Sequence, residues 1–127
     1  SFPTRRSSDL ITYPWKLTLG DYAWVGDDAV LYTLGEITIG ANSVVSQKCY
    51  LCTGSHDFMS QHFDITASPI VIGEKCWLAT DVFVAPGVSV GDGTVVGARS
   101  SVFKSLPANK ICRGNPAVVI RERVETD

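Results

Sequence analysis

From Leu19 to Pro107 the chain advances in sixes. LGDYAW (19–24), VGDDAV (25–30) and LYTLGE (31–36) are followed, after a shift of two residues, by IGANSV (39–44), VSQKCY (45–50) and LCTGSH (51–56). After a break the pattern resumes as IGEKCW (72–77), LATDVF (78–83), VAPGVS (84–89), VGDGTV (90–95), VGARSS (96–101) and VFKSLP (102–107). The first position is Leu, Ile or Val in all twelve units, the fifth is small or modest in nearly all, and the second is often Gly or Ala. A helix repeats its apolar face every 3.6 residues or about that, a period six does not serve. Six residues suit a short strand and a tight corner. Three units then close a triangular coil, and successive coils stack as parallel strands. The leading aliphatics form inward columns, the fifth residue is small because the interior is narrow, and Gly, Asp and Asn supply the corner conformations. The expectation is an all-β parallel helix of about four coils, starting at Leu19, Ile39, Ile72 and Val90, with Glu36-Ile37 as a small corner bulge.

Two stretches leave the period. Residues 57–71, DFMSQHFDITASPIV, are too long for a corner and read as an extruded loop, which in a compact domain usually serves function. The tail after Lys110 drops the repeat and is expected to cap the bottom of the prism. The opening SFPTRRSSDL matches neither stretch. Two arginines beside Asp9 make no nucleic-acid or membrane patch, and no apolar segment fits a secretory signal. The bases TCT TTC CCT ACA CGA CGC TCT TCC GAT CT encode Ser1 to Asp9, and CT with any third base gives Leu10. That string is the end of a common short-read sequencing adapter. Residues 1–10 therefore read as an artefactual segment, and 11–127 as one domain expected to lack its native N-terminus and the coil above Leu19.

Without those ten residues the formal charge moves from −2 to −3, which argues against nucleic acid as the main partner. No apolar run is long enough to span a membrane. Cys49, Cys52, Cys76 and Cys112 are irregularly spaced, which suits a reduced, cytoplasmic protein with thiols packed in a core. The lone CxxC of Cys49 and Cys52 has no second pair or neighbouring histidines to complete a zinc site, so no metal is expected.

The repeat resembles the hexapeptide-repeat family, whose fold is the left-handed parallel β-helix. That handedness runs against the usual crossover rule and is taken from the resemblance alone. LCTGSHD, the extruded loop, VIGEKCWLAT, VAPGVSVGDGTVVGARSSV and ICRGNPAVVIRER look like the sugar and polysaccharide O-acetyltransferases of this fold. The colanic-acid-biosynthesis type, related to galactoside and maltose acetyltransferases, is most similar, from about Tyr13 to Arg123. The resemblance implies an acetyl-CoA-dependent O-acetyltransferase of a sugar or exopolysaccharide precursor, assembled as a homotrimer with active sites between subunits. The family's catalytic histidine precedes the loop and maps to His56, the general base; His62, inside the loop, reads as an exposed side chain. Acetyl transfer to a hydroxyl needs such a base, and neutral imidazole suits it.

For coenzyme A the resemblance points to Trp77 beside the acyl-transfer tunnel, to a backbone N–H at Thr80 facing the thioester oxygen, and to Ala98 on the pantetheine arm. Lys104 and Arg121 match basic residues near the cofactor phosphates, and Arg113 is a further basic candidate. On the acceptor side stand Asp27 and Asp28, also readable as turn residues, and Asp57, also readable as an exposed loop residue or as the group that orients the imidazole. Two other classes fit the fold. A γ-type carbonic anhydrase needs three metal-binding histidines where this chain has two. A non-catalytic structural or assembly subunit has no use for His56, the loop and the basic terminus together.

Overall fold

The computed structural model describes residues 10–124. The chain winds through about five turns of a three-sided parallel β-helix. The first turn holds β1 (Leu10–Ile11), β2 (Leu17–Leu19) and β3 (Trp24–Val25), with a short 3-10 turn at Pro14–Lys16. The second holds β4 (Val30–Tyr32), β5 (Ile37–Ile39) and β6 (Val44–Val45). The third holds β7 (Tyr50–Cys52), a side hairpin of β8 (Gly54–His56) and β9 (Ile65–Ala67), then β10 (Ile70–Ile72) and β11 (Trp77–Leu78). The fourth holds β12 (Phe83–Val84), β13 (Ser89–Val90) and β14 (Val95–Val96). The last holds β15 (Ser101–Val102), a bridge from Val90 to Leu106, and β16 (Lys110–Gly114), from which β17 (Ala117–Glu122) turns back antiparallel.

Face 1 is the five-stranded sheet β1-β4-β7-β12-β15, face 2 is β2-β5-β10-β13, and face 3 is β3-β6-β11-β14-β16-β17. Of the leading aliphatics, those from Val25 to Val102 are all buried, while Leu19 in the first turn is half-buried. The fifth positions form a second inward column: Ala23, Ala29, Cys49, Cys76 and Val82 are buried as well. Burial pushes the Cys49 thiol up to about 11, so it stays protonated in the folded core. Hydroxyls within the core tie coil to coil. Ser43 Oγ donates to the Gly73 carbonyl at 2.6 Å and accepts from the Cys76 N–H at 3.0 Å, while Thr94 Oγ1 donates to the Pro107 carbonyl at 2.5 Å.

The position-two glycines serve a purpose other than corner flexibility. A Cβ on Gly40 would sit 2.6 Å from the Gly73 carbonyl carbon, and one on Gly26 would sit 2.6 Å from the Gln47 nitrogen. Those glycines are therefore small because one coil lies directly against the next. The left-handed conformation falls two residues later, where Asp28, Asn42, Lys48, Asp81 and Arg99 all take φ near +60°.

Several boundaries differ from the sequence expectation. There are five turns, not four, because Leu10 to Val25 form a turn of their own. Leu10 is in β1, paired with Val30, and its N–H donates to the Ala29 carbonyl at 3.0 Å; any residue's backbone can do this, and its side chain is exposed. Residues 1–9 of the adapter-like segment lie outside the described residues. Glu36-Ile37 is not a bulge: Ile37 is fully buried in β5, between Leu17 and Ile70. The excursion also begins earlier and ends earlier than 57–71, since Gly54 to His56 already leave the prism and Ile70 is back in its core. The tail keeps the repeat for one more strand: Ile111 and Cys112 pair with Val95 and Val96, Cys112 is buried, and only the return strand β17 breaks the pattern. Arg123 pins that return, donating to the carbonyls of Lys75 and Gly93 at 2.9 Å each.

Candidate active site

The edge where face 3 passes to face 1 repeats one turn four times. Backbone bonds run from Lys48 N–H to the Asp27 carbonyl (2.9 Å), from Asp81 N–H to the Gln47 carbonyl (3.0 Å) and from Arg99 N–H to the Thr80 carbonyl (2.9 Å). This ladder stacks Asp27, Gln47, Thr80 and Ala98 in one column. Beside it runs the outward row of face 3, in which Trp24, Val44, Trp77, Val95, Ile111 and Arg121 are successive register partners. Between column and row lies a groove of about 480 Å³ lined by Ser46, Gln47, Trp77, Ala79, Thr80, Val95, Gly97 and Ala98. The Trp77 Nε1–H donates to Ser46 Oγ at 3.0 Å, which fixes the indole as a wall, and Thr80 Oγ1 donates to the Gln47 carbonyl at 3.1 Å. Among the described residues the backbone N–H groups of Thr80 and Ala98 donate to no protein acceptor.

This groove gathers three of the ten candidate residues singled out in the sequence, and two more adjoin it. Trp77, Thr80 and Ala98 line it. Arg121 stands at its foot through the pairing with Ile111, and Arg113 lies directly below Gly97, its Cβ 3.1 Å from where a Cβ on that glycine would be. Asp27 and Asp28 line a second hollow of about 340 Å³ higher on the same edge, with Trp24, Gly26, Gln47 and Lys48. Gln47 joins the two hollows. Sequence reading passed over Gln47 and Ser46, although both sit in the repeat at the corner positions that Thr80 and Ala79 occupy one turn below.

His56 is elsewhere. It ends β8, which leaves the edge between faces 1 and 2, and it pairs with Ile65 of β9. Its imidazole is exposed, with Nδ1 2.8 Å from the Phe63 carbonyl. Asp57 does not orient the ring. Its Oδ1 accepts the Met59 N–H at 3.0 Å, a local turn bond within the loop. Lys104 follows β15 on this same edge and so is not among the groove residues of its own chain. The two edges of one prism are thus separated by the width of face 1, and the base candidate and the groove do not meet within a single chain. No group of three or more His, Cys, Asp or Glu that could hold a metal occurs among the described residues. No helix there is long and apolar enough to cross a membrane.

The family described as bacterial transferase hexapeptide (six repeats) matches residues 69–104. The chain is 85% identical over 122 residues to "Putative colanic acid biosynthesis acetyltransferase WcaF" of Escherichia coli (strain K12), covering 96% of this chain and 67% of that protein. Among solved structures, a maltose O-acetyltransferase from Clostridium difficile 630 superposes with a TM-score of 0.90 at 26% identity, over 98% of this chain and 70% of that one. A galactoside acetyltransferase in complex with coenzyme A gives 0.87 at 28%, over 91% of this chain and 60% of that one. The three-sided coil of these relatives is the left-handed parallel β-helix. On its six-residue repeat and its 85% identity to a protein of that type, of which it covers 67%, the chain belongs to the hexapeptide-repeat acetyltransferase family.

Proposed function

We propose that the protein transfers the acetyl group of acetyl-CoA to a hydroxyl of a sugar in an exopolysaccharide precursor, in the cytoplasm, with His56 as general base. The relative's name supports colanic acid as the polysaccharide class. The observation that carries the reading is the His56 imidazole, exposed on its arm with Nδ1 against a carbonyl oxygen. A carbonyl only accepts, so Nδ1 carries the proton and Nε2 keeps its lone pair.

The groove fits the pantetheine arm of coenzyme A. Trp77 and Val95 give an apolar wall, and the free N–H groups of Ala98 and Thr80 offer donors to an amide or thioester oxygen. Arg121, Arg113 and a neighbour's Lys104 are the cations for its phosphates. In the reaction Nε2 of His56 takes the proton from the acceptor hydroxyl as its oxygen attacks the thioester carbon. The Thr80 N–H stabilises the developing oxyanion. Collapse breaks the C–S bond, and the imidazolium returns its proton to the departing thiolate, giving the acetyl ester and free coenzyme A. Asp27 and Asp28 accept hydroxyls of the sugar.

The site is shared between copies of a homotrimer, so that the arm of one prism meets the groove edge of the next. The surface supports this. The outward row of face 2 is Thr18, Thr38, Val71 and Ser89, whereas face 3 shows Trp24, Val44, Trp77 and Val95, and face 1 carries the Tyr50–Phe83–Phe103 aromatic ladder with centroids 6.0 Å apart. The test is thiol release from acetyl-CoA with candidate sugar acceptors, alongside the mass of the assembly in solution. Acceptor-dependent release by a trimer is the expected result. A protein that binds coenzyme A yet acetylates no sugar precursor is not this enzyme, and an active monomer removes the shared site.

A further inference from the structure

Up the groove, the corner column changes size at one position. Read from the lower coil upward its members are Ala98, Thr80, Gln47 and Asp27, and Gln47 is the first long side chain. The floor beside the column stays small throughout, as Gly97, Ala79, Ser46 and Gly26. The opposite wall leans in at the height of Gln47. Trp77 belongs to the third turn, yet its Nε1–H donates at 3.0 Å to Ser46 Oγ of the second turn, the residue next to Gln47. The corner that carries Gln47 is held twice, since its carbonyl accepts the Asp81 N–H at 3.0 Å and the Thr80 hydroxyl at 3.1 Å. Gln47 is exposed, so packing in the core does not account for its size. It lines both hollows of this edge, the groove of about 480 Å³ below and the one of about 340 Å³ above.

We propose that Gln47 is a specificity-determining residue for the donor: with the pinned Trp77 indole it closes the groove above Thr80 and limits the acyl group to acetyl. This rests on the groove being the pantetheine site, with the thioester at the Thr80 N–H. Successive coils lie about 4.8 Å apart. A thioester carbon at the level of Thr80 therefore has one coil spacing of room before Gln47. An acetyl methyl extends roughly 1.5 Å beyond that carbon, whereas a butyryl chain extends roughly 4 Å and carries its end into the glutamine. The upper hollow, with Asp27, Asp28 and Lys48, is then kept for a polar acceptor. An alkyl chain reaching that far would strip water from charged groups and offer them no hydrogen bond in return.

Binding without an acceptor isolates the effect from turnover. Coenzyme A, acetyl-CoA and butyryl-CoA are titrated by calorimetry into the parent, Gln47→Ala and Gln47→Met. Transfer from the two thioesters is then measured with an acceptor sugar. The parent should prefer acetyl-CoA over butyryl-CoA by roughly 10–200-fold, the discrimination that a methylene of misfit brings. In Gln47→Ala that ratio should fall below about threefold, while the affinities for acetyl-CoA and for coenzyme A itself hold. Gln47→Met, similar in length but without the amide, should keep the parent's preference. A parent indifferent to chain length, or an unchanged ratio in Gln47→Ala, overturns the proposal. So does a relaxed ratio in Gln47→Met, which assigns the effect to the amide and not to bulk. A raised KM for the sugar in Gln47→Ala, with acyl preference unchanged, moves the residue to the acceptor and also sinks the idea. If the parent binds none of the three, the groove is not a donor site and Gln47 has no such role. If coenzyme A binds and only the ratio fails to respond, the donor site stands and Gln47 alone is wrong.

Discussion

At the edge between faces 3 and 1, each turn is a copy of the one above, joined by the Lys48–Asp27, Asp81–Gln47 and Arg99–Thr80 backbone bonds. At the edge between faces 1 and 2, the third turn throws out the β8–β9 hairpin, whose closing bonds are made among its own residues. The first edge owes its shape to stacking and tolerates no change of spacing. The second owes its shape to a local knot and can vary in sequence without disturbing the prism. That division suits a transferase in which the donor is common to a family and the acceptor is not. A periodic track can hold a long cofactor, and an insertion can bring a base and a specificity surface to it.

The sharpest test of this contrast is His56→Ala. On the proposed role of His56 as base, and with the arm outside the core, turnover should fall by roughly 10²–10⁴ while coenzyme A affinity, assembly mass and melting temperature hold. Steady-state kinetics beside calorimetric coenzyme A titration will show it. If the assembly dissolves as well, the arm is part of the scaffold and the contrast is wrong.

Next comes the scaffold edge itself. Gly26→Ala places a methyl about where the Gln47 backbone already lies, 2.6 Å from its nitrogen, and the neighbouring coil cannot move without shifting the stack. The cost should be about 1–3 kcal/mol in chemical denaturation. Phe58→Ser on the arm, at an exposed tip, should stay within about 0.5 kcal/mol. Equal costs at the two sites would erase the distinction between stacked and self-closed edges.

How far the sequence reached follows the same line. The columns were legible because a single period put Val25, Val45, Leu78 and Val96 in register, and only a six-residue coil makes all of them inward. The role of the glycines was not: a corner glycine looks alike in sequence whether it serves φ or close approach, and only the stacked coordinates separate Gly40 from Gly87, which does take φ +80°. Ile37 was misplaced because ITI, like IVI in the turn below, has two inward residues where the six-residue period marks one. The groove residues Trp77, Thr80 and Ala98 could be placed from the repeat, since equal positions in successive units stack. Lys104 could not be joined to them, because it occupies the other edge and any meeting depends on a second copy. The Phe63 carbonyl left no trace in the sequence at all. Backbone acceptors have no letter.

A third prediction separates donor binding from chemistry. Trp77→Ala removes the wall of the groove and the bond to Ser46, without touching the arm. KM for acetyl-CoA should rise about tenfold, which corresponds to roughly 1.4 kcal/mol of binding, with kcat little changed. A fall in kcat alone would place Trp77 at the reacting carbon instead of along the cofactor.

The smallest expected effect belongs to the other histidine of the arm, and its smallness is the point. His62 is six residues from His56, on the same loop and similarly exposed, so any general effect of losing an arm imidazole falls on both. The difference between them is one contact: Nδ1 of His56 faces the Phe63 carbonyl, while no hydrogen bond of the His62 side chain occurs among the described residues. An untethered imidazole at the surface points in no fixed direction, and a base without a fixed direction gains none of the advantage of a positioned one. His62→Ala should therefore change turnover by less than about twofold and stability by less than about 0.5 kcal/mol. A loss matching that of His56→Ala would mean that the arm's position, and not one aimed nitrogen, limits the rate; the self-closed loop would then be a lever for the whole hairpin.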